Sequence, residues 1–149
     1  MTTSDIRQDA FPAPSRHAHG LVNGVDTQVT YVGFADKMLV TISQEGRLSQ
    51  WFHVALAENA ANVVHMALPS ASNSLLPATH LTPRTLLGAG GDDRETLGQL
   101  YAAQIASFIS LKSPDETRSL LLGLGLGLGK PDTQREAFFD ILDLARQVL

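Results

Sequence analysis

Alternating apolar and polar positions in the first third of the chain predict β-strands. From Thr27 to Phe34 and from Met38 to Ser43, β-branched and aromatic residues recur at every second position. The polar break Ala35-Asp36-Lys37 separates these two runs. A side-chain period of two places one set of residues on each side of a sheet, and in both runs the two sets are largely apolar. The pattern predicts paired antiparallel strands with two apolar faces.

Turn signals frame these runs and extend them into a meander. Asn23-Gly24 suits the positive φ angles of a tight hairpin turn, and Gln44 to Arg47 forms another turn that contains glycine. A further apolar run follows from Leu48 to Leu56. We therefore expect an N-terminal β-meander in which each strand pairs with the next.

Two segments lack any periodic pattern. Residues 1–16 mix Pro12 and Pro14 with polar residues, which is typical of a disordered tail. No Asp, Glu, Lys or Arg occurs from Asn59 to Pro83, and prolines interrupt that stretch, so about residues 57–81 are predicted to form a long loop. The remaining chain, residues 17–149, is predicted to form a single domain.

The second half of the chain alternates strand and helix signals. Thr85 to Leu87 predicts a short strand, and apolar residues at three- and four-residue spacing predict a helix from Glu95 to about Ser110. Strict alternation from Leu120 to Gly129 predicts another strand, and a second helical pattern runs from Thr133 to the last residue. Asp92 with Glu95, and Thr133 with Glu136, have the spacing of capping boxes. The prediction is an α+β fold with an antiparallel sheet and two helices on one side.

The glycines of the alternating strand are candidate partner-binding or dimer residues. Gly123, Gly125 and Gly127 alternate with leucine, so one face of this strand is nearly flat. Such a face is usually found where a helix or another backbone approaches closely. The spacing fits neither a Walker phosphate loop nor a dinucleotide fingerprint. We expect this face to pack against a helix or a second subunit.

The first helix provides a second candidate surface. The positions left outside its apolar stripe include Gln99, Ala103 and Ser107, and none of them is charged. A solvated helix normally carries Glu and Lys on its outer face, so an uncharged face indicates either an Ala-rich helix or a surface that a partner covers.

Composition and charge exclude several partner classes. A net charge of −4 offers no attraction for phosphate backbones or anionic lipid, so no nucleic-acid or membrane partner is predicted. Uncharged stretches such as Thr96–Leu111 are shorter than the roughly 20 residues of a membrane helix. The absence of cysteine agrees with a reducing compartment, and the expected location is the cytoplasm, with the nucleus as a second compartment.

The sequence contains no recognisable catalytic constellation. Cysteine catalysis is absent by composition, and no Gly-x-Ser-x-Gly element supports a serine nucleophile. The histidines have no metal-ligand spacing, and the acidic residues near Asp92 are explained by helix capping. We therefore predict no catalytic residue, cofactor or metal. A deep polar pocket around His53 or His80 would favour the alternative of a small enzyme.

Several segments, in their order, resemble the proteasome assembly chaperone 3 family. They begin with Asn23 to Val29 leading into Phe34, the strand Leu39 to Leu48, and the segment Leu81 to Gly88. The helix LGQLYAAQIASFIS, the alternating strand before Lys130 and the C-terminal helix ending ARQVL follow. The resemblance spans about residues 20–149. The chain departs from the family pattern in its N-terminal tail and in an apparent insertion around Ala57 to Leu68.

The resemblance implies a function as well as a fold. It implies an antiparallel sheet backed by helices, and a dimer formed by sheet packing with a second copy or with a related assembly chaperone. It also implies transient binding to α-type subunits during formation of the 20S proteasome α-ring, without enzymatic activity. A small adaptor or scaffold subunit of the longin or roadblock type is the alternative, since these proteins also combine a meander with flanking helices.

Overall fold

A computed structural model describes residues 13–56, 81–88, 90–127 and 131–149. Within these residues the chain forms a six-stranded sheet and two helices. In chain order the elements are β1 (Ser15–Val22), β2 (Val25–Gly33), β3 (Lys37–Gln44), β4 (Gln50–Val54), β5 (Arg84–Leu87), α1 (Asp92–Lys112), β6 (Ser119–Gly125) and α2 (Pro131–Val148).

Two tight turns form where the sequence predicts them. Asn23 and Gly24 have φ angles of 51° and 77° between β1 and β2. Glu45 and Gly46 have φ angles of 55° and 71° after β3. Two successive left-handed residues are typical of the hairpin turns whose twist matches that of the flanking strands. The Asn-Gly signal is therefore confirmed.

The predicted tail and loop lie mostly outside the described residues. Positions 1–12 of the tail are not described, but Ser15 and Arg16 belong to β1, so the predicted tail is too long at its C-terminal end. Of the predicted loop at 57–81, only Leu81 is described, and its side chain is buried.

The order of strands in the sheet is β1-β2-β3-β6-β4-β5. The first three strands form the predicted antiparallel meander, but β4 does not pair with β3. Strand β6 lies between them, parallel to β3 and antiparallel to β4. The side chains of Leu120, Leu122 and Leu124 in β6 are at most 1 % exposed. The central position is favourable because the most apolar strand gains most from burial.

Both helices cover the same side of the sheet, which we call the inner face. Its central row joins Val40, Leu122 and Phe52 on neighbouring strands. A Cβ atom at Gly98 of α1 would lie 2.2 Å from the Phe52 ring, and one at Gly20 would lie 3.3 Å from Leu144 of α2. Each helix therefore packs against this face, and the prediction of an α+β fold with two helices on one side is confirmed.

The predicted capping boxes are wrong. Gly91, with a φ angle of 97°, is the N-cap of α1, and no side chain caps this end. The carboxylate of Glu95 instead accepts a hydrogen bond of 2.8 Å from the Thr85 hydroxyl. Helix α2 begins at Pro131, so Thr133 lies inside the helix. Proline is favoured at a first helical position because its missing N–H needs no partner there.

The two helices differ in how they are buried. Every residue of α1 from Tyr101 to Ser107 is buried, so this helix lacks the single apolar stripe that the sequence predicts. Helix α2 is amphipathic, with Ile141 and Ala145 buried and Asp140 exposed. The helices meet where the rings of Tyr101 and Phe138 lie 4.6 Å apart, and burial raises the pKa of the Tyr101 hydroxyl. Neither described helix is long and apolar enough to span a membrane.

Candidate protein interface

The side of the sheet opposite the helices is the candidate site, and we call it the open face. It includes two rows of side chains that cross the sheet perpendicular to its strands. One row contains Val32, Leu39, Leu121, His53 and Arg84, and the other contains Thr30, Thr41, Gly123, Trp51 and Leu87. No described element packs against these rows.

The open face is uncharged over most of its area. Its only charged residue in the two rows is Arg84, on the edge strand β5. Lys37 lies at the rim beside these rows, and its ammonium group is 2.6 Å from the carboxylate of Asp36. The hydrogen bond from Lys37 lowers the pKa of Asp36. Charge is therefore placed at the periphery, which is the arrangement found in protein interfaces.

Trp51 is the largest side chain on this face. The pairing of β4 with β6 places Trp51 opposite Gly123. A Cβ atom at Gly123 would lie 2.9 Å from the indole ring, so the ring rests directly on the glycine backbone. An aromatic side chain that covers a cross-strand glycine stabilises a sheet that the glycine alone would weaken. The indole remains half-buried, and its outer side is available to a partner.

The predicted flat glycine face is therefore covered by the chain itself. Gly123 lies under Trp51, and a Cβ atom at Gly125 would lie 1.5 Å from the carbonyl oxygen of Arg47. Gly127 follows the end of β6, where its N–H donates a hydrogen bond of 2.8 Å to the side-chain oxygen of Gln44. The close approach expected at these glycines is real for Gly123 and Gly125. However, the approaching groups are the indole of Trp51 and the backbone at Arg47.

The predicted outer face of the first helix is not a surface in this chain. Ala103 and Ser107 are only 8 % and 4 % exposed, so the expectation that they form an uncharged outer surface is wrong. Gln99 is partly exposed, but its side-chain amide donates a hydrogen bond of 3.3 Å to the hydroxyl of Thr85. A partner could not contact Ala103 or Ser107 without rearranging the chain.

Comparison with known families identifies the chain. The family model "Proteasome assembly chaperone 3" matches residues 40–147. The chain belongs to the proteasome assembly chaperone 3 family. It is therefore a member of a family of assembly chaperones, whose role is not enzymatic. The resemblance noted in the sequence is confirmed.

A solved structure shows the same fold. A chain in the crystal structure of a chaperone complex for yeast 20S proteasome assembly superposes with a TM-score of 0.55 at 15 % sequence identity. The match covers 89 % of this chain and 98 % of the yeast chain. No individually curated protein sequence matches this chain.

The large side chains of the open face are ones that the sequence did not single out as candidate site residues. Trp51, Leu39 and Leu121 occupy the open face, yet each also fits an ordinary strand pattern. A usable signal exists in the composition, since Trp51 is the chain's only tryptophan and lies in a strand. Its pairing with Gly123 joins residues far apart in sequence, which periodicity alone does not reveal.

The pocket that would have favoured an enzyme is an open cleft. His53 borders a cleft of about 580 Å³ at the β5 edge, together with Arg84, Glu95 and Gln99. His80 lies outside the described residues. No cluster of three or more potential metal ligands occurs in the described part of the chain. The family membership, rather than this cleft, determines the functional class.

Proposed function

We propose that this chain forms a dimer through its open face. The dimer holds α-type proteasome subunits while the α-ring assembles. The coarser role, proteasome assembly chaperone, follows from family membership. The observation that supports the finer proposal is the open face itself. Its half-buried apolar residues have no cover among the described elements.

Packing a second sheet onto the open face would complete its burial. Aligned sheets pack about 10 Å apart and interdigitate their side chains, which leaves each sheet between a helical layer and its partner. Leu39 and Leu121 lie in the centre of the rows, and Trp51 adds a large anchor beside them. Aromatic anchors surrounded by uncharged residues carry most of the binding energy in many interfaces.

A temporary dimeric holder suits ring assembly on physical grounds. Unassembled ring subunits expose interfaces that can aggregate or pair wrongly. A chaperone that covers part of such an interface raises the yield of the correctly closed ring. Because the chaperone must leave, we expect its contact with the subunit to be of moderate size and reversible. We place this activity in the cytoplasm, with the nucleus as a second compartment.

The dimer is tested by introducing one carboxylate on each of two surfaces, the open face and an exposed position of α1. Leu121→Asp places a carboxylate in the centre of the open face, whereas Leu111→Asp changes a leucine of α1 that is 80 % exposed. Sedimentation velocity should show the L121D chain as a monomer at concentrations where wild type and L111D are dimeric. An unchanged dimer in L121D, with the fold intact by circular dichroism, excludes the open face as the interface.

The subunit partner is tested by recovery from cells. A tagged wild-type chain should copurify with one or more α-type subunits, and mass spectrometry of the same sample shows whether the second chaperone chain is a copy or a relative. Recovery of wild type without any α-type subunit or early assembly intermediate contradicts the proposal. Recovery of a small-GTPase or membrane-traffic complex instead would favour the longin or roadblock type of adaptor.

A further inference from the structure

The two edges of the sheet differ in how well they are protected. Strand β5 is four residues long, and its register with β4 shifts between Trp51 and Phe52. Strand β1 is eight residues long and pairs with β2 without interruption from Ser15 to Val22. Short or irregular edge strands discourage further pairing, whereas a long regular edge is a template for another strand. The β1 edge contains no proline or bulge.

The phase of the β1–β2 ladder shows which backbone groups point outward. Val22 and Val25 flank a two-residue hairpin turn, and residues in that position exchange hydrogen bonds with each other. The N–H of Gly33 donates a bond of 2.9 Å to the carbonyl of Pro14, which continues the same phase at the far end. The residues whose N–H and C=O groups point away from β2 are therefore Ser15, His17, His19 and Leu21. No described strand pairs with them.

Three contacts to α2 hold β1 in place. The Arg16 guanidinium donates hydrogen bonds of 3.1 Å to the carbonyls of Val148 and Leu149. In the middle of the strand, Gly20 lies against the Leu144 side chain. At the turn, the Asn23 side-chain amide donates a bond of 3.1 Å to the Thr133 carbonyl. An edge that is already ordered loses little entropy when another strand binds to it.

The side of α2 that borders this edge is acidic. Glu136, Asp140 and Leu144 follow one another at four-residue spacing, so they share one side of the helix. Leu144 contacts β1, whereas Phe138 contacts α1 on the opposite side. Glu136 and Asp140 are both exposed. Their carboxylates therefore flank the half of β1 that leads to its turn.

We propose that the outer edge of β1 binds an extended, basic segment of another protein, which adds a seventh strand to the sheet. The backbone groups of Ser15, His17, His19 and Leu21 would hydrogen-bond to that segment. Its helix-side basic residues would meet Glu136 and Asp140. Pairing with a second copy is disfavoured, because two antiparallel β1 strands would bring two acidic helix sides together. This edge is distinct from the open face, and the inference does not depend on the proposed dimer.

Amide hydrogen exchange tests the proposal with an internal control. The probe is an acetylated eight-residue peptide of alternating lysine and threonine. A peptide of the same length with glutamate in place of lysine is the control of opposite charge. In the free chain, the amides of His17 and His19 should exchange rapidly while those of Ala18 and Gly20 are protected by β2. The lysine peptide should slow exchange at the outward-facing amides, including those of His17 and His19, and leave the exchange of Ala18 and Gly20 unchanged. Protection of these amides in the free chain, or equal binding of both peptides, overturns the inference.

Substitutions separate the contributions of backbone pairing and of charge to peptide binding. His19→Pro removes one outward N–H, whereas His19→Ala keeps that N–H. H19P should therefore bind the lysine peptide about fivefold more weakly than H19A. Asp140→Lys should lower the affinity for the lysine peptide about threefold or more. Asp115→Lys is the control, because it reverses the charge of an exposed residue between α1 and β6, and it should leave the affinity unchanged. Equal affinity of H19P and H19A, or of D140K and D115K, contradicts the proposal. Sedimentation of H19P and D140K should match wild type, which keeps this test separate from that of the open face.

Discussion

Trp51 and Phe52 are neighbours in β4, but they belong to opposite faces of the sheet. Phe52 is 0 % exposed, and its ring is enclosed by Leu122 beside it and by Gly98 of α1 above it. Trp51 rests on Gly123 and is enclosed by no described element on its outer side. The described helices cover the inner face, whereas no described element covers the open face. The comparison shows that a single strand can be buried on one face by its own chain while its other face stays uncovered by the described elements.

The largest expected effect occurs where the chain's own backbone covers a glycine on the open-face side of β6. Gly125→Ala would place a Cβ atom 1.5 Å from the carbonyl oxygen of Arg47, and a backbone group cannot move away as a side chain can. We expect a loss of at least about 3 kcal/mol in the free energy of unfolding, or no folded protein. Urea denaturation measures this.

Gly127→Ala is the matched control for that substitution. The nearest group to its Cβ atom is the Gln44 side-chain oxygen at 3.5 Å, which is ordinary contact. Its unfolding free energy should stay within about 0.5 kcal/mol of wild type. Equal stability of G125A and G127A would show that β6 does not approach Arg47 closely.

Removal of the inner-face aromatic should destabilise the chain without affecting its association. Phe52→Ala leaves a cavity beneath α1, and we expect a loss of about 3 to 5 kcal/mol in the unfolding free energy. Gly98→Ala would also destabilise, because its Cβ atom would lie 2.2 Å from the ring. Phe52→Leu should partly rescue G98A in thermal denaturation. Additive effects in that double variant would mean that the two residues do not touch.

Removal of the open-face aromatic should have the opposite effects, with a small change in stability and a large change in association. Trp51→Ala should lower the unfolding free energy of the isolated chain by no more than about 1.5 kcal/mol, since the indole is only half-buried. If the dimer forms through this face, the dissociation constant should rise about 30-fold or more, as for a central aromatic anchor. Sedimentation equilibrium compares W51A with F52A. A larger effect of F52A on association would reverse the roles assigned to the two faces.

The smallest effect is expected at an ion pair that belongs to neither face. Both oxygens of Glu116 accept hydrogen bonds of 2.9 Å from Arg118, and these bonds lower the pKa of Glu116 to about 2. A lowered carboxyl pKa stabilises the fold above the ordinary value of 4.5 and loses this contribution as the pH falls toward 2. Glu116→Gln should cost about 1 kcal/mol at pH 7.

The pH dependence provides the control for that prediction. The difference in unfolding free energy between wild type and E116Q should shrink as the pH is lowered from about 4.5 toward 2, while the sedimentation of both proteins stays the same. A difference that does not change over this range would exclude the ion pair as its cause.

Local patterns determined most of the elements. The turns at Asn23-Gly24 and Glu45-Gly46, the alternation in β2 and β3 and the apolar spacing in α2 depend on neighbouring residues, so the sequence alone predicts them. The same alternation also showed that the sheet has two apolar faces, and helices on one side leave the other uncovered.

Only the tertiary structure decided which residues meet. Strand β6 comes between β3 and β4, and this order brings Trp51 over Gly123 and Arg47 over Gly125. Ala103 and Ser107 are buried in the folded chain, although helical spacing alone placed them outside. Periodicity indicates the direction of a side chain relative to its own helix or strand. Whether that side chain is buried depends on segments that are distant in sequence. For the same reason, the acidic flank of the β1 edge becomes visible only once α2 lies beside β1.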